Sequence, residues 1–192
     1  MKRTLPESFY SKDPEEVAKN LLGKVLVNKT EEGTVKGRII ETEAYYGEKD
    51  PASHAYRGKT KRAKIMWEKP GTSYVYFTYG KHYLFNVVAN REGKAGAVLI
   101  RAVEPLEGIS LMQKRRGKKE IKELTSGPAK LTQSFKININ KNGVDLTKGN
   151  FRIEEGEKRD FNIVYRTRIG IKRGKGKALR FYIQNNEFIS QK

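Results

Sequence analysis

The chain has 192 residues and 36% hydrophobic side chains, which suit one compact domain spanning residues 1–192. Its 40 Lys and Arg outnumber its 22 Asp and Glu, and the net charge of +18 indicates a polyanionic partner such as nucleic acid, although ribosomal, membrane-surface and heat-adapted proteins are also basic. The absence of cysteine excludes disulfides, thiolate nucleophiles and cysteine-based metal sites.

The first third of the chain is predicted to form one helix and two strands. Asp13 suits a helix N-cap, because Pro14 takes the first helical position and two acidic residues follow it. The residue pattern indicates strands over residues 24–28 and 34–46, joined by a tight turn. The polar segment 47–59 is predicted to be a loop.

A β-hairpin is predicted in the middle of the chain. Residues 62–68 suit a short helix, and two β-rich runs follow over residues 74–79 and 83–89. Gly80 and Lys81 lie between these runs, and glycine at the first central position is typical of a two-residue type II′ turn. The sequence therefore predicts a hairpin with Tyr79 beside its tip.

The second half of the chain mixes strands and helices. Helices are predicted over residues 106–116 and 129–135, with a basic connection over 114–122, and strands over residues 95–103, 151–153, 163–171 and 181–184. Together these elements predict an α+β fold: a single compact domain with a curved, mostly antiparallel β-sheet, peripheral helices and a protruding β-hairpin.

The sequence offers no membrane or metal signal. No apolar run approaches the roughly 20 residues that cross a bilayer, and no signal-type apolar stretch follows residues 1–6. We expect an intracellular protein, cytoplasmic or located with the chromosome (in the nucleus of a eukaryote). His54 and His82 are the only histidines, too few for a histidine-rich metal site, so we expect neither metal nor cofactor.

Two glutamates and a tyrosine alternate along the second predicted strand. Because side chains alternate between the faces of a strand, Glu41, Glu43 and Tyr45 share one face. A carboxylate beside an aromatic ring could act at a sugar bond while the ring stacks on a planar base; a solvated strand face has the same pattern. A glutamate with the ordinary pKa of about 4.3 is ionised at neutral pH and can accept a proton from water.

Other polar and aromatic side chains each allow two interpretations. An exposed Tyr79 at a hairpin tip suits a wedge between stacked bases, or an ordinary hairpin-stabilising pair. His54 suits a binding site, or a surface or capping position on its loop. Asn86 and Arg101 lie in apolar runs, where they suit a binding pocket or satisfied inward-facing polar groups. The residues alone leave these alternatives open.

Seven segments resemble the alkyladenine (3-methyladenine) DNA glycosylase family, in the same order and over most of the chain. They are GRIIETEAY (37–45), DPASHA (50–55), GTSYVYFTYG (71–80), AVLIRAVEPL (97–106), SGPAKL (126–131), RIGI (168–171) and RFY (180–182). The resemblance implies a monofunctional enzyme that flips a damaged purine out of duplex DNA and hydrolyses its N-glycosidic bond, leaving an abasic site. Substrates of the family include 3-methyladenine, 7-methylguanine, hypoxanthine and ethenoadenine.

The resemblance also implies roles for individual residues. Glu43 corresponds to the base that activates water, and Arg101 to the basic residue near that water. The residues that correspond to the base pocket are Tyr45, His54, Tyr76 and Asn86. Tyr79 corresponds to the intercalating residue, and the DNA-backbone contacts correspond to Lys81 and Arg168. The implied partner is double-stranded DNA containing damaged purines, bound by a monomer.

A non-catalytic RNA- or ribosome-binding module is the alternative. Such a module would use the same basic surface and aromatic stacking. It would have no need of Glu43 on the stacking face. Release of a damaged base from duplex DNA distinguishes the enzyme from the module.

Overall fold

The computed structural model describes residues 3–78, 80–157 and 160–191, in which eight strands form one antiparallel sheet. The strands are Val25–Thr30 (β1), Gly33–Tyr46 (β2), Ser73–Thr78 (β3), His82–Val88 (β4), Gly96–Glu107 (β5), Phe151–Glu154 (β6), Ile163–Arg166 (β7) and Arg180–Ile183 (β8). Their order is β3-β4-β5-β2-β1-β6, while β8 also pairs with β2 and carries β7 on its other edge. The sheet curls into a half-barrel.

Short helices pack around this sheet. The α-helices are Glu7–Tyr10 (α1), Pro14–Leu21 (α2), Ile109–Arg116 (α3), Lys122–Thr125 (α4) and Pro128–Ser134 (α5), and the 3₁₀ helices are His54–Arg57, Ala63–Trp67 and Ile139–Lys141. None of the helices in the described ranges is long and apolar enough to span a bilayer.

Strand β2 separates the apolar core from the polar site. Ile39 and Ile40 are successive residues, yet both are buried in the core. The pairing of β2 with β5 is irregular on both sides of Glu41, which is typical of a β-bulge and accounts for this. Beyond the irregularity Ala44 remains in the core, so Glu41 and Glu43 lie on the opposite face of the strand.

The predicted fold class, the helix after Asp13 and the second strand are confirmed. The sheet is antiparallel and the fold is α+β. Helix α2 begins at Pro14, and the Asp13 carboxylate accepts a hydrogen bond from the backbone N–H of Glu15 at 2.9 Å. Strand β2 covers the predicted range 34–46 with one additional residue.

The predicted two-residue hairpin turn is wrong. Thr78 pairs with His82, so three residues connect β3 and β4. Gly80 has φ +68°, and the backbone N–H of Lys81 donates to the carbonyl of Thr78 at 3.3 Å. Glycine therefore takes the third position of a turn that begins at Thr78, where some turn types require positive φ. Tyr79 lies outside the described residues.

Other predicted bounds shift because of tertiary pairing. Strand β5 extends to Glu107, since it pairs with β2 as far as Lys36. Gly108, with φ +77°, then ends the strand, and helix α3 begins at Ile109 instead of residue 106.

The remaining differences are local. Strand β7 ends at Arg166, well before residue 171, because its partner β8 begins at Arg180. The predicted loop 47–59 contains a 3₁₀ helix, and the predicted helix 62–68 is itself a 3₁₀ helix. The short helices α1 and α4 were not predicted, because four residues carry too little periodic pattern.

Candidate active site

Two buried carboxylates on β2 share one arginine from β5. Glu41 and Glu43 have no exposed surface, and the guanidinium of Arg101 lies between them. Its Nε is 3.1 Å from Oε1 of Glu41, and its Nη1 is 3.2 Å from Oε1 of Glu43. The structure therefore confirms that the two glutamates lie on one face of the strand, and adds a shared cation to them.

The Glu43 carboxylate accepts two hydrogen bonds and lies beside one cation. The backbone N–H of Ile169 donates to Oε1 at 2.7 Å, and Arg101 approaches the same oxygen. The hydroxyl of Tyr45 donates to Oε2 at 2.9 Å. A carboxylate has about four lone-pair sites, so two hydrogen bonds leave Glu43 able to accept a further one from water.

Glu41 accepts more hydrogen bonds than Glu43 does. Its Oε1 accepts from Arg101, from Nη1 of Arg180 at 3.0 Å and from the hydroxyl of Ser190 at 2.9 Å. Its Oε2 accepts from the backbone N–H of Ser190 at 2.6 Å. Glu41 therefore accepts four hydrogen bonds, three of them at Oε1, against two for Glu43, and it is the more firmly held of the two carboxylates.

The environment changes the acidity of Glu43. Burial raises the pKa of its carboxyl above the ordinary value, and the charge of Glu41 adds to the rise. Arg101, the N–H of Ile169 and the Tyr45 hydroxyl act in the opposite direction without cancelling it. Glu43 is therefore a stronger base than an exposed glutamate, in contrast to the unperturbed pKa assumed from the sequence.

A cavity of about 640 Å³ adjoins this pair of glutamates. Tyr45 and Ile169, which donate hydrogen bonds to Glu43, and Arg101, which forms an ion pair with it, all line the cavity. Glu43 itself does not, so its carboxylate lies behind the wall that these three residues form. His54, Tyr76 and Asn86 line the same cavity. The structure thus brings together five of the predicted site residues around one space, with Glu43 directly behind it.

Aromatic rings form one side of the cavity. The rings of His54 and Tyr76 meet edge to face with centroids 4.7 Å apart, and Nδ1 of His54 is 2.6 Å from the hydroxyl of Tyr74. Burial and the nearby charge of Arg62 lower the pKa of His54, so its ring is neutral at pH 7. The ring can thus offer one N–H donor and one acceptor.

Asn86 lies deep in the same cavity. Its side chain is buried, and its Nδ2 donates to the backbone carbonyl of Tyr74 at 3.1 Å. This bond fixes the amide in the cavity wall, where an amide oxygen can accept and an amide N–H can donate.

Arg168 does not lie where a DNA backbone could reach it. Its side chain is fully buried, and it donates to Asp50 at 2.6 and 2.8 Å and to the carbonyl of Ala44 at 3.0 Å. Its guanidinium lies 4.7 Å from the centroid of the Tyr45 ring. The predicted phosphate contact is therefore not supported, and Arg168 instead holds the ring of Tyr45 from behind.

The mouth of the cavity is basic. Lys130, Lys172 and Arg173 line it, and the last two are exposed. Lys81 is also exposed, at the tip of the hairpin. Such side chains suit phosphate contacts.

Sequence reasoning missed the partners of Glu41. Arg180 was noted only within the motif RFY, and Ser190 was assigned no role; Ile169, the backbone partner of Glu43, was likewise noted only within a motif. A signal for Arg180 does exist in the sequence, because two glutamates on one buried face require cations, and Arg180 immediately precedes a predicted strand. Nothing in the sequence points to Ser190, which is 149 residues from Glu41.

Comparisons with known proteins agree with this geometry. Residues 8–187 match the family described as Methylpurine-DNA glycosylase (MPG). The chain is 52% identical over 190 residues to a protein of Carboxydothermus hydrogenoformans, and 48% identical over 201 residues to one of Clostridium tetani. Both are named "Putative 3-methyladenine DNA glycosylase", and each alignment covers 98% of this chain and 99% of the relative.

Proposed function

The chain belongs to the methylpurine-DNA glycosylase family, and on that premise we propose that it removes alkylated or deaminated purines from double-stranded DNA in base-excision repair. The observation that supports the proposal best is the Glu43 carboxylate, which can still accept a hydrogen bond from water and lies behind an aromatic cavity. The proposed substrates are 3-methyladenine, 7-methylguanine, hypoxanthine and ethenoadenine. Such a substrate places the enzyme inside the cell, with the chromosome.

Base flipping is part of the proposal. A glycosidic bond inside a stacked duplex is out of reach, so the nucleotide must leave the helix, at a cost of a few kcal/mol that is least for damaged bases. The cavity of about 640 Å³ falls in the range of roughly 300–1,000 Å³ that holds small ligands. Tyr79, outside the described residues, is proposed to fill the gap in the stack, and Lys81 to contact a phosphate.

The aromatic wall favours a cationic base. Alkylation at a ring nitrogen makes the purine positively charged, and the rings of Tyr45 and Tyr76 would attract it by about 0.5–2 kcal/mol over a neutral base. His54 and Asn86 are proposed to contact the edge or face of the same base. Their neutral polar groups can donate to or accept from a purine edge, which supports this assignment.

Hydrolysis requires a base and a stabilised sugar cation. Water would donate to the open site of Glu43, and its oxygen would bond to the anomeric carbon as the carbon–nitrogen bond breaks. The proton passes to Glu43, and the bonding electrons leave with the purine. Both the raised pKa of Glu43 and its negative charge suit this step, since the developing oxocarbenium is positive.

A cationic purine leaves as a neutral molecule, so the reaction needs no Lewis acid and no redox cofactor. The proposal therefore includes neither, and the simplest active species is a monomer. Neutral hypoxanthine needs a proton or a strong hydrogen bond as it leaves. No observation favours the alternative RNA- or ribosome-binding module, which would have no use for a base such as Glu43.

A panel of duplexes tests the proposal. The protein is incubated with four duplexes that each contain one of the proposed lesions, with an undamaged duplex, and with undamaged RNA. We expect release of the free base and an abasic site in at least one lesion duplex, and no release from the undamaged strands. Tight binding to RNA with no base released from any lesion duplex would contradict the proposal and support the binding module.

A further inference from the structure

Glu41 occupies a position that the proposed mechanism leaves unexplained. It is completely buried, lies two residues before the proposed base, and accepts four hydrogen bonds. We infer that Glu41 is a positioning residue: it holds Arg101 so that the water site of Glu43 stays open, and Ser190 locks it in place. This inference rests on the proposed function.

Arg101 contacts both glutamates at once. Its Nε faces Glu41 and its Nη1 faces Glu43, so its donors are divided between the two carboxylates. Arginine and a carboxylate otherwise prefer a bidentate pairing, in which two N–H groups meet both oxygens. Without Glu41, Arg101 can form such a bidentate pair with Glu43. Its two N–H groups would then occupy the acceptor sites that the water needs.

The charge of Glu41 also balances the charges around Glu43. Glu41 and Glu43 carry two negative charges, and Arg101 and Arg180 carry two positive charges, so the buried cluster is neutral overall. Removal of the Glu41 charge leaves an excess positive charge beside Glu43. That excess would make Glu43 a weaker base, because an adjacent cation favours the ionised carboxylate.

The C-terminal segment completes the arrangement. The hydroxyl of Ser190 donates to Glu41 at 2.9 Å and accepts from Arg101 at 3.2 and 3.3 Å, so it bridges the two side chains. Its backbone N–H also donates to Glu41, and Nη1 of Arg180 donates to the carbonyl of Gln191 at 2.8 Å. Residues near the end of the chain therefore support the site from behind.

The first experiment compares Glu41→Gln with Glu104→Gln. Glu104 also lies on the β2–β5 pair and accepts from Arg38 at 3.0 Å and from Asn186 at 3.2 Å, so its variant loses a partly buried ion pair away from the site. We expect Glu41→Gln to lower the single-turnover excision rate at pH 7 by about 10- to 100-fold. The enzyme concentration for half-saturation should change little, because no DNA contact is lost. An equal loss of rate in Glu104→Gln would overturn the inference.

The pH profile separates positioning from a merely structural role. The groups that face Glu43 are Arg101, Arg168, Tyr45 and Glu41, and of these only Glu41 would lose its charge. We expect the acid limb of the excision rate to move to lower pH in Glu41→Gln, by about one unit. A reduced rate with the acid limb unmoved would contradict the inference.

A milder pair of variants keeps the test informative if Glu41→Gln does not fold. Ser190→Ala removes the bridging hydroxyl, whereas Ser190→Thr retains it. We expect a severalfold slower single-turnover rate in the first and recovery of most of the rate in the second. Equal rates in Ser190→Ala and the parent would overturn the role of Ser190.

A double variant tests whether Glu41 acts through Arg101. Residues that act through one another show non-additive effects, so Glu41→Gln should cost little further rate in an Arg101→Met background. Full additivity would contradict the inference. If the parent protein releases no base, the proposed function itself fails; if the parent is active and these comparisons fail, only the role of Glu41 is wrong.

Discussion

The two sides of the cavity differ in how their polar groups are held. On the inner side, Glu41, Glu43 and Arg101 are buried, and none of their polar atoms appears among the unpartnered buried atoms of the described residues. At the mouth, Lys172 and Arg173 are exposed on an irregular segment between β7 and β8. The inner side suits chemistry that needs fixed distances, and the mouth suits contacts with a flexible, repetitive partner.

The largest expected effect tests the inner side. Glu43→Gln keeps the shape of the side chain but cannot accept a proton from water, so we expect excision to fall by about 10²- to 10⁴-fold. Binding to lesion duplex should remain within a few-fold of the parent, because Glu43 lies behind the cavity wall. Single-turnover rates and equilibrium binding measure the two quantities.

Glu48→Gln is the matched control for this variant. Glu48 follows β2 closely but is exposed, so its loss should leave the rate unchanged. An excision rate in Glu43→Gln close to that of the parent would remove the proposed base, and with it the distinction between the two sides of the cavity.

The second expected effect is a loss of stability when Arg168, which packs against the ring of Tyr45, loses its ion pair. Asp50→Asn would leave the buried guanidinium of Arg168 without its ion-pair partner, which costs about 3–5 kcal/mol in the free energy of unfolding. Urea unfolding at pH 7 measures this loss. Asp160→Asn is the control, because Asp160 is exposed. A loss no larger than in that control would show that the inner side does not depend on this pair.

The same pair predicts a pH dependence of stability. Burial acts to raise the pKa of Asp50, but the hydrogen bonds and charge of Arg168 outweigh it, and the pKa is lowered overall. A lowered folded-state pKa contributes stability above the unfolded value of about 3.9, and the contribution is lost as the pH falls through the folded value. The difference in stability between the parent and Asp50→Asn should therefore shrink below about pH 4.

How much of the inner side is predictable from sequence depends on the distance between contacts along the chain. Glu43 and Tyr45 are two residues apart, and strand alternation alone placed them side by side. The pairs Arg168–Asp50 and Glu41–Ser190 are separated by 118 and 149 residues, and no local pattern reports them. The DNA-backbone contact of Arg168 was implied by the family resemblance alone, and no local pattern indicated that Asp50 would pair with it in the interior.

The fold shows the same division. Helix α2 follows from a cap, a proline and a first turn that lie within four residues, and its prediction is confirmed. The end of β5 depends on pairing with a strand about 70 residues earlier, and it was predicted four residues too early. Elements that are set by neighbouring residues can be predicted from the sequence, whereas strand ends that depend on distant partners cannot.

The smallest expected effect tests the mouth. Replacement of both Lys172 and Arg173 by alanine should weaken binding to all duplexes alike and reduce the slope of log affinity against log salt by about 2, one for each lost phosphate contact. Excision at saturating enzyme should stay near the parent rate, because neither residue contacts Glu43. Lys148→Ala, also exposed but not part of the cavity lining, should leave the slope unchanged. An unaltered slope in the double variant would mean that these two residues do not neutralise phosphates. A lower saturated rate would mean that the mouth also contributes to excision, and that the two sides are not separate in function.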